Sequence, residues 1–378
     1  MMATKRSIFE EVGDTPKQVA APGAIDRAGQ GARGGIRRWL LGLLVMVVVM
    51  IAVGGLTRLT DSGLSITEWK PVTGAVPPMS EAAWAEEFAK YQQIPEYQLQ
   101  NKGMSLSEFK SIYWWEWGHR QLGRLIGLVW AVGFVAFVAM RKVPTGWTGR
   151  LFGIGALIGV QGAIGWWMVS SGLGEGMLDV ASYRLATHLG LAFIIVGMMM
   201  VYALRLGRSQ ADLLQARRSA DKRMVVLSNV LVVMAFVQII LGALVAGIDA
   251  GRGYPDWPLM AGGFLPPQPF DITPVWRNFF ENDGLVQFMH RMAGYALFAY
   301  GLFVFLRARK SANRKIRAAF HGVFGMMFLQ MVLGIFTVIY SAPWHIAIVH
   351  QIGAVALWGL ILRGRFLAQY PISQSVRG

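Results

Sequence analysis

The sequence predicts an all-α polytopic membrane protein, with eight transmembrane helices forming two tandem, pseudo-symmetric four-helix bundles. Three observations carry this. The 378-residue chain is 54% hydrophobic and 15% charged, against about 25% charged in a soluble domain. Eight runs reach the roughly 20 apolar residues that cross about 30 Å of hydrocarbon. Motifs of the first four runs also recur, in order, in the last four. There are no cysteines, which excludes a disulfide scaffold, cysteine-ligated metal and thiol catalysis.

The runs lie at about 39–57, 118–140, 151–170, 184–204, 225–247, 287–306, 318–340 and 345–362. The first follows Arg37 and Arg38. It is too long for a signal-peptide core, and no cleavage site follows it. Residues 1–36, polar and rich in Gly, Ala and Pro, read as a disordered tail. Residues 37–210 then form the N-terminal bundle, with an outer loop over 58–117. Residues 211–224 are a linker, 225–366 the C-terminal bundle and 367–378 a second tail. In the outer loop, Ser80-Glu81 predicts a short interfacial helix, and another helix starts near Ser105 or Ser107 and runs into the second span. Residues 248–286 read as ordered loop. Trp69, Trp84, Trp114, Trp115, Trp117 and Trp257 suit an aromatic belt.

Net charge is +15. Of the 36 Lys and Arg, seven lie in residues 1–38, three in 141–150, six each in 205–223 and 307–317, and three after 362. The acids favour the opposite side. The positive-inside rule then places both termini in the cytoplasm of a bacterial inner membrane. The basic balance is topology rather than a nucleic-acid footprint, and lipid is the expected surroundings.

The repeat is specific. Asp61-Ser62-Gly63, Glu68-Trp69 and Pro77-Pro78 echo Asp249-Ala250-Gly251, Asp256-Trp257 and Pro266-Pro267. His119-Arg120-x-x-Gly123 echoes His290-Arg291-x-x-Gly294, Gln161-x-x-x-Gly165 echoes Gln330-x-x-x-Gly334, and His188 echoes His350. Each half has an even number of spans, so the halves share one orientation, as parallel repeats do.

Four of the six histidines, His119, His188, His290 and His350, therefore sit inside spans at matching places. Ionisable groups there mark function. At about 1.5 Å per residue, the 17 residues from His188 to Arg205 put it roughly 26 Å from the inner face. All four lie toward the outer, periplasmic side. Neutral imidazoles on alternate helices of a bundle suit haem iron; copper is the rival ligand. Gly123, Gly127 and Gly294 follow on the same helix faces, where a flat porphyrin would fit. Arg120, Arg124 and Arg291 stand near the outer mouth, where propionates would point. His321 and His345 read as structural.

The halves differ at one place. Glu116 stands three residues before His119, on the same helix face, whereas Gln287 stands before His290. Arg58 and Lys70 also lack basic counterparts. A carboxyl beside one histidine pair could move protons, or could pair with Arg120 or Arg58. The asymmetry predicts a reactive N-terminal site and a fixed redox haem in the C-terminal half.

The run Gly54-Gly55-Leu56-Thr57-Arg58-Leu59-Thr60-x-Ser62-Gly63-Leu64-Ser65, then Trp69-Lys70-Pro71 and Pro77-Pro78, resembles the haem A synthase family. So does Glu116-Trp117-x-His119-Arg120-x-x-Gly123-Arg124. The resemblance covers about 39–362. The lack of cysteine departs from the branch with a cysteine pair in its first outer loop and resembles the proteobacterial and mitochondrial branch. The resemblance implies oxidation of the C8 methyl of haem O to a formyl group, giving haem A for cytochrome oxidase, by successive hydroxylations through a geminal diol. It implies haem O as substrate between His119 and His188, haem b between His290 and His350, and a catalytic carboxylate at Glu116. Arg58, Arg120, Arg124 and Arg291 are expected to bind cofactor. A haem O synthase, an electron acceptor and a second copy of the chain are the expected partners. On the residues alone, a diheme b-type electron carrier and a haem transporter or chaperone stay open. The first leaves Glu116 unexplained. The second needs a path across the membrane, whereas the histidines lie toward one face.

Overall fold

In the computed structural model, residues 24–174 and 176–374 are described, with side chains from residue 32 onward. The described residues are helical and contain no β-strand. Eight helices are long and apolar enough to cross a membrane. They are α1 (Ala24–Leu59), α2 (Leu106–Ala139), α3 (Thr148–Gly172), α4 (Ser182–Leu206), α5 (Lys222–Gly247), α6 (Asp283–Ala308), α7 (Arg314–Ile339) and α8 (Trp344–Gln369). The chain is a multi-pass membrane protein.

Most helices outrun the predicted apolar stretches because their caps lie beyond them. Ser105 caps α2 in a full capping box with Glu108, Asp221 caps α5, Asn282 caps α6 and Asn313 caps α7. The expected tail over 1–36 needs correction in part. Residues 1–23 lie outside the described residues, but the backbone is already helical from Ala24. The early turns are tied down where Arg33 donates to the carbonyls of Arg205 and Arg208 at the end of α4, a basic group on a helix C-terminus. The linker expected over 211–224 likewise contains a helix, Gln210–Arg218, capped by Ser209.

Helix α1 shows how the spans partition. Ile36, Leu40, Leu43, Val47 and Ile51 recur every three or four residues and are buried, while Leu41, Val45 and Val49 on the other face are exposed to lipid. α2 and α4 each pack on α1 and α3; α6 and α8 each pack on α5 and α7. The seam between these groups is made by α1 with α8, and by α4 with α5 and α8. Lipid is as apolar as leucine, so the seam is held by close approach and hydrogen bonds. Trp358 Nε1 donates to the Phe193 carbonyl at 3.0 Å, and Gln351 Nε2 to the Ile51 carbonyl at 2.8 Å.

The outer loop of the first half folds over its own small core. The helix Glu81–Tyr91 is capped by Ser80, as the sequence predicts, and is followed by Pro95–Leu99. Trp84, Tyr91, Ile94, Phe109 and Tyr113 pack with Leu64 and Ile66 above the membrane segment. Trp84 is therefore a core residue, 7% exposed, and not a member of the aromatic belt, whereas Trp69, Trp114, Trp115 and Trp257 are exposed. The reason is the amphipathic loop helix, which turns Trp84 inward against Tyr113. The repeat is also visible in backbone conformation. Asp61 and Asp249, which match in the repeat, both take left-handed φ angles, 48° and 52°, a conformation aspartate tolerates.

Candidate functional site

A cavity of about 600 Å³ opens among α1 to α4, within the range of small-molecule and cofactor pockets. His119 on α2 and His188 on α4 both line it, together with Glu116, Arg58, Arg120 and Arg124. Glycines flatten its walls: Gly54 and Gly55 on α1, Gly123 and Gly127 on α2, and Gly159, Gly162 and Gly165 on α3.

Each of the four intramembrane histidines is seated on a glycine of a neighbouring helix. A methyl group at Gly54 would stand 2.7 Å from His119 Cε1, and one at Gly165 would stand 2.9 Å from His188 Cε1. In the second half the same relation holds for Gly242 and His290 at 3.0 Å, and for Gly334 and His350 at 3.3 Å. A side chain at these positions would displace the ring, so each glycine helps to fix an imidazole. Two of the four rings are also braced by glutamine. Gln161 Nε2 donates to the His188 carbonyl at 2.9 Å and lies 3.2 Å from its Nδ1. Gln238 Nε2 donates to the His290 carbonyl at 3.1 Å and lies 3.1 Å from its Nδ1. The buried Nδ1 atoms of His119 and His350 have no hydrogen-bond partner.

Glu116 is 3% exposed and is met by donors from both sides. Its Oε2 accepts from Ser65 Oγ and from the Ile66 backbone N–H, each at 2.7 Å. Its Oε1 accepts from Arg120 at 2.6 and 3.0 Å. Arg120 in turn donates to the carbonyls of Ile66 and Glu68, latching the outer loop onto α2. The matching place in the second half has the same frame. Arg291 donates to Gln287 Oε1 at 3.0 Å and to the carbonyls of Tyr254 and Leu259. There, however, Gln287 donates to the Tyr254 carbonyl instead of accepting from a loop N–H.

The family model described as cytochrome oxidase assembly protein, COX15-CtaA, matches residues 37–362. Relatives named haem A synthase match end to end. That of Ruegeria pomeroyi is 62% identical over 380 residues, covering 100% of both chains. That of Dinoroseobacter shibae is 63% identical over 380 residues, covering 100% of this chain and 99% of the relative. That of Cereibacter sphaeroides is 58% identical over 387 residues.

The chain belongs to the haem A synthase family.

The residues present fit the porphyrin that a haem A synthase must handle. The cavity has glycine walls on three helices, two facing histidine-bearing helices and a buried imidazole nitrogen without a partner. In the second half of the chain, His290 and His350 sit on equivalent glycine seats, Gly242 and Gly334, outside that cavity. Of the arginines, Arg58, Arg120 and Arg124 line the cavity and Arg291 does not. All four are already engaged. Arg58 pairs with Asp61 and Asp249 at 3.1 Å and Asp179 at 3.5 Å, so it ties the two halves at the mouth. Arg124 donates to the carbonyls of Lys70 and Pro71, both at 2.9 Å.

Sequence reasoning missed the seat glycines Gly54 and Gly242, the brace Gln238 and the loop donors Ser65 and Ile66. Gly54 and Ser65 carried a signal in the quoted Gly54 to Ser65 run, and Gly242 carried one as the repeat counterpart of Gly54. Outside the spans, Lys70 and Lys90 hold Glu68 at about 2, well below the usual carboxylate range. His321 bonds the Arg317 carbonyl at 2.7 Å and lies edge-on to Phe305, a structural arrangement.

Proposed function

We propose that the chain oxidises the C8 methyl of haem O to the formyl group of haem A, with haem O held in the cavity among α1 to α4 between His119 and His188. The observation that carries this is the glycine-walled cavity that both histidines line beside a buried carboxylate. His119 and His188 bind and orient the substrate. Their glycine seats fix where the rings stand, which is the positioning that pre-organised sites use. Between methyl and formyl the carbon exchanges two hydrogens for one oxygen. This is a four-electron oxidation, at the level of methyl plus water giving formyl, four protons and four electrons, so electrons go to an acceptor and protons must leave an apolar pocket. Glu116 accepts protons at its carboxylate, and Arg120, Ser65 and the Ile66 N–H hold it in place for this. The folded outer loop covers part of the cavity with Trp69, Pro71 and Glu96 and so restricts water at the reacting carbon to the mouth near Asp61 and Asp179.

His290 and His350 are the residues that would hold a resident haem b, which when bound supplies one-electron redox chemistry. Bis-histidine ligation suits that role, and Gln238 fixes the His290 ring as an outer-shell partner does. The two four-helix groups act as separate bundles, one for substrate and one for the redox group. Charge sorting supports cytoplasmic termini in the inner membrane and haem sites toward the periplasm. A haem O synthase would supply the substrate, a separate acceptor would take the electrons, and a second copy of the chain is a further partner.

Expression in cells that make haem O but not haem A tests the reading, with extracted haems separated by chromatography and identified by mass. Haem A in the extract is the expected result. Bound haem with no conversion would contradict it and favour an electron carrier.

A further inference from the structure

A second carboxyl lies in the same cavity. Glu96, on the short helix Pro95–Leu99 of the outer loop, is 3% exposed and lines the pocket with Glu116. Its Oε1 accepts a long 3.4 Å bond from Asn101, and its buried Oε2 has no partner. An isolated buried carboxyl is costly in charged form, and no cation pairs with this one. The groups facing it are acids or neutral: Glu116 from α2, Asp61 from the end of α1, Asp179 from the loop between α3 and α4, and from the preceding helix the Tyr91 hydroxyl, which hydrogen-bonds the carboxyl and partly offsets the acids. Arg58, which lines the same cavity, is held by Asp61, Asp179 and Asp249. Asp61 and Asp179 also line the cavity and are partly exposed, so they connect it to water.

We propose that Glu96 is a second proton-carrying residue of this site, passing protons between Glu116 at the histidine end of the cavity and Asp61 and Asp179 at its mouth. Burial, then the nearby acids, push Glu96 up to about 8, so at neutral pH it rests protonated. Pairs of carboxyls whose environments drive them apart are how one site holds both a donor and an acceptor. The step is proton transfer alone. Through water admitted to the shared cavity, Glu96 loses its proton to Asp61 or Asp179 and on to bulk solvent. The freed carboxylate then takes the proton from Glu116, which returns to its carboxylate form. One O–H bond breaks as another forms, and no electrons move. The role rests on the reading of the cavity as the haem O site, but the protonation of Glu96 does not.

The test compares the full-length protein with Glu96→Gln and Glu96→Asp in membranes. Glu96→Gln copies the neutral resting form, so it should accumulate and bind haem normally. Conversion of haem O should fall tenfold or more, the limb of its pH profile near 8 should disappear, and Glu96→Asp should recover part of the rate. Infrared titration should show a protonated carboxyl that ionises near pH 8 in the wild type and is missing from Glu96→Gln. Wild-type rate and pH profile in Glu96→Gln would overturn the proposal. So would the absence of any carboxyl titrating above pH 7, and if Glu96→Gln fails to accumulate the titration is read on Glu96→Asp, where an unmoved high-pH carboxyl would overturn the proposal. Wild-type protein that makes no haem A would instead refute the haem O reading, and the infrared titration would still judge Glu96.

Discussion

The two outer latches are built on one plan and differ in one atom type. In each, an arginine one turn after the key residue reaches the carbonyls of a loop strand: Arg120 to Ile66 and Glu68, Arg291 to Tyr254 and Leu259. The residue one turn earlier completes the frame. In the second half this is Gln287, which both accepts from Arg291 and donates to the Tyr254 carbonyl. In the first half it is Glu116, which can only accept and therefore recruits Ser65 Oγ and the Ile66 N–H. The comparison separates structure from chemistry. In the second half a glutamine suffices to hold the loop, and this difference supports the proposed proton-carrying role of the carboxylate in the first half. The cavity behind it, lined by His119 and His188, gives it a use.

The largest effects should come from the histidines, and they should differ between halves. His119→Ala and His188→Ala should abolish haem A formation while the haem b spectrum persists. His290→Ala and His350→Ala should remove that spectrum. Optical spectra and extracted haems measure both, and loss of the same haem signal in all four variants would break the division of labour.

The glutamine braces come next. Outer-shell partners of ligating histidines typically matter about 10–100-fold in affinity or activity. Gln161→Leu should weaken substrate handling in the first half, and Gln238→Leu should lower haem b occupancy in the second. Equal effects of both on haem b content would contradict the pairing of Gln161 with His188. The glycine seats give a finer comparison. Gly165→Ala sets a methyl 2.9 Å from the His188 ring, and Gly334→Ala sets one 3.3 Å from His350. Overpacking of this kind costs about 1–3 kcal/mol, and the first change should disturb its ring more. Resonance Raman or optical spectra of the bound haems would rank them.

The smallest effect concerns the outer loop. Glu68 is depressed to about 2 by Lys70 and Lys90, so its contribution is present above the ordinary carboxylate range and fades as pH falls towards 2. Its side chain is 44% exposed, and such pairs are worth about 1 kcal/mol or less. Lys90→Met should shift acid unfolding of the loop to slightly higher pH, readable by tryptophan fluorescence. A shift as large as that from losing a helix cap would mean that this network supports the latch.

Much of this was legible in the sequence. Hydropathy runs gave the eight helices, the repeat gave the matching histidines, and the position of Glu116 three residues before His119 gave the asymmetry. What was not legible depends on contacts between helices far apart in sequence. Gly54 meets His119 and Gly242 meets His290 across a helix interface, and although Gly54 stands in a glycine pair, nothing local tells which histidine either one seats. Gln238 has no counterpart in the first half, where Met50 takes the matching place, so the repeat could not reveal it. Glu96 sits in a loop without periodicity, and only folding buries it. The start of α1 was missed because its first turns are glycine-rich and polar.

The central claim is that the carboxylate of Glu116 does chemistry that the latch does not need. The direct measurement is the ratio of haem A to haem O made by Glu116→Gln in cells supplying haem O. A glutamine at 116 can still accept from Arg120 through Oε1, as Gln287 does from Arg291, but its Nε2 would face the Ile66 N–H, so accumulation and the haem b spectrum are measured alongside conversion and both should persist. General acid–base groups typically contribute about 10²–10⁴-fold, and conversion should fall by at least about a hundredfold. Conversion at the wild-type level in a variant with a normal haem b spectrum would contradict the claim and leave Glu116 as part of the latch alone.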